Sequence, residues 1–372
     1  MGSPRLTGAG RAAGGWGVDL SRAVFVHQYG GPEVLSLEDR ELPPPGPGEV
    51  RVRHRAIGLN FIDVYQRSGL YKVPLPFVAG NEAAGDVVAV GEGVTDIAVG
   101  DRVSYQGPVG AYAEERNIPA ARLVRLPDGI GYETAAAVTL KGVTAYYLLH
   151  ETWRVQPGET VLVHAAAGGV GSLLVPWAKH LGATVIATAG TPQKVERAKA
   201  LGADHAIDYN AEDFARRVRE LTDGRGVDVV YDGVGRATFE GSLDSLRPRG
   251  LLVSYGNASG PVSIPSLVVL AEKGSLYVTR PSTATYMATP EQLRTAAAAV
   301  FDAVAKGVLQ VQVDQRYALA DAAEAHRALE ARRTTGSTVL LPLGRPAPRP
   351  CVRSSSPRSG GRSRARARGS SR

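Results

Sequence analysis

The chain has 372 residues, 44% hydrophobic and 21% charged, which excludes global disorder and gives room for about two domains. Its net charge of +7 would suit a polyanionic partner, but residues 345–372 hold nine arginines and no acidic residue. The remainder carries 34 basic against 36 acidic residues, a net charge of −2. The single cysteine, Cys351, excludes an internal disulfide and a thiolate zinc site, and no apolar run approaches the ~18–20 residues of a membrane span. A cytoplasmic protein is the expectation.

Residues 1–21, rich in Gly, Ala and Arg, read as a disordered extension. Over 22–143 the signals are short strands broken by turns. Ala23-Val24-Phe25-Val26 opens, Gly30-Gly31-Pro32 turns, and Pro43-Pro44-Pro45-Gly46-Pro47-Gly48 makes a rigid connector. Glu49-Val50-Arg51-Val52-Arg53 alternates with period two, and the run from Gly85 to Gly91 continues a barrel-like, all-β reading. The pattern then changes. Over 144–279, buried-strand runs at 160–163, 184–187, 228–231 and 251–254 alternate with helical stretches. One helix starts at Thr191-Pro192, with Thr as cap and Pro at the first helical position, and stops at Gly202. This predicts an α/β, doubly wound parallel sheet. A capped helix begins at Thr289-Pro290-Glu291-Gln292 and ends near Gly307, and a last strand, 337–341, returns to the first unit. The division expected is therefore 22–143 plus 280–343 for one domain, with 144–279 inserted. Residues 344–372 form a disordered arginine-rich tail, the one place where nucleic acid could bind. The apolar runs 265–270 and 276–278 read as an exposed edge strand, which predicts a homodimer.

The most informative segment is Ala166-Ala167-Gly168-Gly169-Val170-Gly171, between an apolar strand and a helix. Gly168 and Gly169 let the main chain approach a pyrophosphate at the helix N-terminus, and Gly171 permits close helix–strand packing. Pro176 within that helix predicts a local bend. After the second strand the chain reads Ala187-Thr188-Ala189-Gly190-Thr191-Pro192-Gln193-Lys194. No carboxylate is present to repel a ribose 2′-phosphate, and Lys194 is placed to attract one, so the dinucleotide expected is NADPH.

Leu59-Asn60-Phe61-Ile62-Asp63-Val64-Tyr65, Gly80-Asn81-Glu82-Ala83-Ala84-Gly85, the glycine-rich turn and Ser254-Tyr255-Gly256-Asn257 resemble the zeta-crystallin-like NADPH:quinone oxidoreductases. These form the zinc-independent branch of the medium-chain dehydrogenase/reductases. The resemblance implies a GroES-like catalytic domain carrying an inserted Rossmann domain, and a homodimer. It implies metal-free reduction of a quinone or another electron-poor acceptor, with an enone or alkenal double-bond reductase as the alternative. A non-catalytic NADPH- or RNA-binding protein is the reading of another class. Asn60 and Asn81 stand where zinc-dependent relatives carry Cys and His. By the same resemblance Asn60, Asp63 and Tyr65 lie at the reacting end and Tyr71 lines the substrate pocket. Cofactor contacts would come from Phe61, Ile62, Val64, Lys141, Thr144, Tyr147, Ala167, Val170, Gly190, Thr191, Tyr209, Tyr255, Gly256, Asn257, Arg280 and Arg332.

Overall fold

The structure is a computed structural model that describes residues 19–342. The first part of the chain runs β1 (Asp19–Val26), β2 (Leu35–Leu42), β3 (Glu49–Gly58), α1 (Phe61–Arg67), β4 (Phe77–Val78), β5 (Glu82–Val90), β6 (Arg102–Gln106), β7 (Glu115–Pro119) and β8 (Val124–Arg125). β3 keeps its period two over Val52–Ala56, whereas Arg51 is buried along with its neighbours. Val50 and Val52 are fully buried, while Arg53 and Arg55 face out toward Glu115 and Asp86. β1 begins inside the stretch expected to be disordered. Asp19, Leu20 and Ser21 pair in register with Leu42, Glu41 and Arg40, because β2 offers ladder groups that far. The rest of the N-terminal stretch and the arginine-rich tail lie outside the described residues.

One long helix departs from the all-β expectation. Residues Tyr132–Tyr147 form α2, which carries the chain past the boundary expected at 143/144. Eleven of its sixteen residues are buried, so it shows no amphipathic stripe to announce it.

The inserted unit runs β9 (Thr160–Val163), α3 (Gly171–His180), β10 (Thr184–Ala189), α4 (Pro192–Ala200), β11 (His205–Asp208), α5 (Phe214–Leu221), β12 (Val227–Asp232), α6 (Phe239–Ser245), β13 (Leu246–Ser254), α7 (Val268–Glu272) and β14 (Tyr277–Thr279). Its six strands are all parallel, in the order β11-β10-β9-β12-β13-β14. The strand order reverses at β9, so the crevice for a ligand opens above that strand's carboxyl end. α3 continues as one helix past Pro176. The run 265–270 is no edge strand. Its second half starts the short helix α7, and β14 is the sheet's edge.

The chain closes with α8 (Thr283–Tyr286), α9 (Pro290–Ala305), β15 (Val313–Ala318), α10 (Ala322–Glu330) and β16 (Ser337–Leu341). β16 returns to the first unit and pairs antiparallel with β3, Val339 opposite Gly58. It completes a seven-stranded sheet ordered β15-β16-β3-β5-β6-β8, with β7 also on β3. α2 packs against α9, β3, β5 and β16, and one apolar core runs from these elements into β9, β10 and β12. The two units thus share an interior.

Candidate active site

α1 begins at the cleft, and its first turn is closed by its own side chain. Asp63 Oδ2 accepts the main-chain N–H of Asn60 at 2.8 Å, so the carboxylate points back toward the helix start. There it meets two further donors, Tyr112 Oη on Oδ2 at 3.0 Å and Asn81 Nδ2 on Oδ1 at 2.7 Å. Asn81 gives its other amide proton to Gln66 Oε1 at 2.7 Å. Burial pushes the Asp63 carboxyl up to about 6; the donors from Asn81, Asn60 and Tyr112, and the charge of Lys141, work against that shift.

A second buried acid sits beside the first. Glu82, on β5, accepts Asn60 Nδ2 at 2.9 Å and the Leu140 N–H at 2.6 Å, with Lys141 Nζ at 3.5 Å. Burial raises its pKa, and Lys141 and the donors oppose this. The Lys141 stem crosses to the other unit, where a Cβ at Gly169 would sit 2.9 Å from its Cδ and Cε. Glycine at 169 leaves the room that this lysine occupies.

Two tyrosines of the first unit reach the end of β13. Tyr65 Oη accepts the Asn257 N–H at 2.9 Å, and its ring lies edge-on to Tyr71 at 5.3 Å, with Phe61 on its other side. Asn257 turns its amide oxygen to Tyr71 Oη (3.1 Å) and Arg280 Nη2 (3.0 Å) and donates its nitrogen to the Gly256 carbonyl. Arg280 also donates to Tyr71 Oη at 2.7 Å and to the Ser254 carbonyl at 2.8 Å. Burial pushes the Tyr65 phenol up to about 12, so it stays protonated at neutral pH.

The glycine-rich turn follows β9. Ala165 takes the left-handed conformation at φ 49°, Ala167 is buried, and Val170 leads into α3. A Cβ on Gly171 would lie 2.8 Å from Ala166 Cα and closer still to the Ala165 carbonyl, so only glycine lets α3 start there. Beneath the turn, His164 is buried between Thr188 Oγ1 (2.8 Å) and Ser242 Oγ (3.0 Å). At the end of β10, Tyr209 lies over Gly190, and Thr191 Oγ1 caps α4 by accepting the Lys194 N–H at 3.3 Å. Lys194 Nζ donates to the Arg332 carbonyl at 3.0 Å. Partial burial and the charges of Arg332 and Arg197 lower its pKa.

The remaining positions are placed as follows. Thr144 Oγ1 bonds back to the Leu140 carbonyl, and Tyr147 stacks on Tyr286 with ring centres 4.5 Å apart. Tyr255 covers Gly233. Ile62 is half-buried, whereas Val64 is buried and offers the cleft almost no surface. Arg333, next in the chain to Arg332, lies near Glu324. Among the described residues, no group of three or more His, Cys, Asp or Glu side chains is placed to hold a metal ion.

Two family models match the chain: an alcohol dehydrogenase GroES-like domain over 46–128 and a zinc-binding dehydrogenase over 169–305. A quinone oxidoreductase of Pseudomonas aeruginosa is 57% identical over 325 residues, covering 87% of this chain and all of the relative. The chain belongs to the zeta-crystallin-like quinone oxidoreductases. Its fold is accordingly that of the medium-chain dehydrogenase/reductases, a GroES-like domain with a Rossmann domain inserted. Within this family, the solved Escherichia coli quinone oxidoreductase in complex with NADPH superposes with a TM-score of 0.85 at 50% identity, covering 86% of this chain and all of that one. A 2-haloacrylate reductase from a Burkholderia species is 48% identical over 86% of this chain and 98% of its own. The zinc-binding match begins at residue 169, so it takes in neither Asn60 nor Asn81.

Of the residues named from the sequence, the structure places Tyr65, Tyr71, Asn257 and Arg280 in one hydrogen-bonded cluster, Asn60 and Asp63 in another, and Lys194 against the Arg332 carbonyl. It missed Glu82, Gln66 and Tyr112 as parts of the site. Glu82 stood in a quoted motif, but nothing in a sequence says that a glutamate is fully buried.

Proposed function

We propose that this chain reduces quinones at the expense of NADPH, without a metal. The observation that carries the proposal is the crossing of the cleft: Lys141 reaches the glycine turn from one side, while Tyr65 and Tyr71 reach Asn257 and Arg280 from the other. The residues fit the dinucleotide. The turn brings the main chain of Gly169, Val170 and Gly171 to the start of α3, where a pyrophosphate would sit, while the Gly168 N–H donates to the Ala165 carbonyl at 2.8 Å. Lys194 and Arg332 hold the 2′-phosphate, and Tyr209 over Gly190 offers a face for the adenine. NADPH, when bound, supplies a hydride. Tyr65 then donates a hydrogen bond to the acceptor's oxygen, because its own oxygen is engaged by Asn257 while its proton is free to point into the cleft. Arg280 and Lys141 place positive charge where the reduced oxygen becomes negative.

Zinc does not fit the position its relatives use. Asn60 and Asn81 offer neutral amides there, and both amide nitrogens already donate to carboxylates. A quinone suits such a site, since the charge that arrives is spread over a conjugated ring. The 2-haloacrylate reductase relative favours a second reading, hydride addition to an electron-poor carbon–carbon double bond. NADPH oxidation by purified protein across simple quinones, enals, enones and haloacrylates separates the two. No turnover with any of them would reject both.

We further infer a homodimer joined at β14. Its outer edge carries Tyr277, 60% exposed, and the neighbouring Leu267 and Val268 are equally bare. No helix of the described residues is long and apolar enough to cross a membrane. A cytoplasmic site of action agrees with the single cysteine.

A further inference from the structure

Four side chains join the surface to Asp63 without a break. Glu330 on α10 accepts Arg67 Nη1 and Nη2 at 2.9 and 2.8 Å. Arg67 Nη1 also lies 3.1 Å from His326 Nδ1, His326 Nε2 lies 3.0 Å from Tyr112 Oη, and Tyr112 Oη lies 3.0 Å from Asp63 Oδ2. Arg67, Tyr112 and His326 are at most 2% exposed, and Glu330 is about one-third exposed. Of the three buried residues, only Tyr112 touches the site described above; Arg67 and His326 lie behind it.

The chain has a direction, and chemistry fixes it. A guanidinium only donates, so His326 Nδ1 must accept and its proton must sit on Nε2. Nε2–H then donates to Tyr112 Oη, which leaves the phenol proton one acceptor, Asp63. Asp63 is therefore surrounded by donors, from Tyr112, Asn60 and Asn81. Since Arg67 cannot take up a proton, the chain conducts no protons to the surface. It conveys orientation.

We propose that Arg67, His326 and Tyr112 are positioning residues, a one-way hydrogen-bond chain that holds Asp63 as an acceptor-only carboxylate and so fixes the Asn81 amide and the Asn60 main chain at the cleft. Burial and the adjacent Arg67 push His326 down to about 3, so it stays a neutral link at working pH. Tyr112 is itself held in place, because its ring fills the room above Gly80 where a Cβ would otherwise sit. Lys141 on α2 and Tyr112 before β7 face Asp63, and Arg67 on α1, Glu82 on β5 and His326 on α10 face Tyr112 in turn. The functional half of this inference rests on the reductase reading; the tautomer half does not.

Two measurements on the full chain test it. Long-range 1H–15N correlation, with His326→Gln for assignment, should show His326 as the neutral Nε2–H tautomer from pH 5 to 8. In Tyr112→Phe, Asp63 loses one donor to its charged form, so the acid limb of kcat/KM should move up by about one pH unit. Tyr105→Phe is the control. Its hydroxyl bonds a different buried histidine, His54, at 2.9 Å, and it should cost thermal stability while leaving the limb in place. An Nδ1–H tautomer or an imidazolium at pH 7 overturns the chain. An unmoved limb in Tyr112→Phe, or one that moves equally in Tyr105→Phe, reduces Tyr112 to packing and overturns the positioning role. If the wild type turns over no acceptor, the reductase reading fails, and the tautomer measurement alone decides the chain.

Discussion

Among single residues, Lys194 bears on the cofactor preference proposed above and Asp63 on a conflict between activity and stability. Lys194 is a cation beside cations, and a charge-assisted contact to a 2′-phosphate is worth about 1.5–3 kcal/mol. Lys194→Ala should therefore raise KM for NADPH by about 10- to 100-fold and leave NADH nearly unchanged. Turnover at saturation should hold, because the 2′-phosphate is remote from the reacting end. Equal weakening for both cofactors in steady-state kinetics would show that Lys194 only holds Arg332. Asp63 presents the conflict. Its folded pKa of about 6 lies above the ordinary carboxylate value, so the stability gained from its proton is complete below about pH 4 and lost as pH rises through 6. Against Asp63→Leu, which has nothing to titrate there, the wild type should lose roughly 3 kcal/mol between pH 4 and 7. Urea unfolding at both pH values measures this. A difference independent of pH would mean that Asp63 is not perturbed.

The elements divide into those with local signals and those without. α4 was legible because Thr191, Pro192 and Gly202 mark its ends chemically, and the strands β9, β10, β12 and β13 because parallel strands buried on both faces read as continuous apolar runs. α2 carries no such mark. Gly131 caps it without a side chain, and an interior helix is apolar on every side. The short helix α7 was read as a strand for a related reason, since a six-residue apolar run does not reveal its period. The turn between β9 and α3 tests how strictly geometry selects its residues. Gly171→Ala must push α3 away from Ala165 and Ala166, main chain against main chain. We expect a loss of about 1–3 kcal/mol in thermal or denaturant unfolding, together with weaker NADPH binding. Unchanged stability would mean that the turn is softer than its contacts suggest.

Across the whole molecule, the site is assembled from segments far apart in sequence, and this limited what the sequence could disclose. The α1 motif and the glycine turn each have a local pattern. Tyr112 and His326 are separated by 214 positions and have none; only the return of α10 brings them together. Two predictions belong to this scale. Sedimentation at micromolar concentration should show a dimer, and a charged residue at the bare edge, Tyr277→Lys, should shift it toward monomer. A wild-type monomer would refute the assignment. Zinc chelation should leave turnover unchanged, because Asn60 and Asn81 offer neutral amides where a zinc ion needs thiolate or imidazole ligands. A loss that added zinc restores would overturn the metal-free mechanism.

The return of β16 and α10 also has a consequence for synthesis. The Rossmann sheet is a continuous stretch, Thr160 to Thr279, and all its partners have left the ribosome well before the chain is finished. The other sheet must wait. β3 and α1 are made early, yet β16, His326 and Glu330 come from the last part of the described chain. A nascent chain arrested near residue 310 should therefore hold a protease-resistant core at 160–279 while its N-terminal portion is still cleavable. Emergence of residues 280–341, and not of the dinucleotide fold, would set the moment at which the enzyme can first turn over.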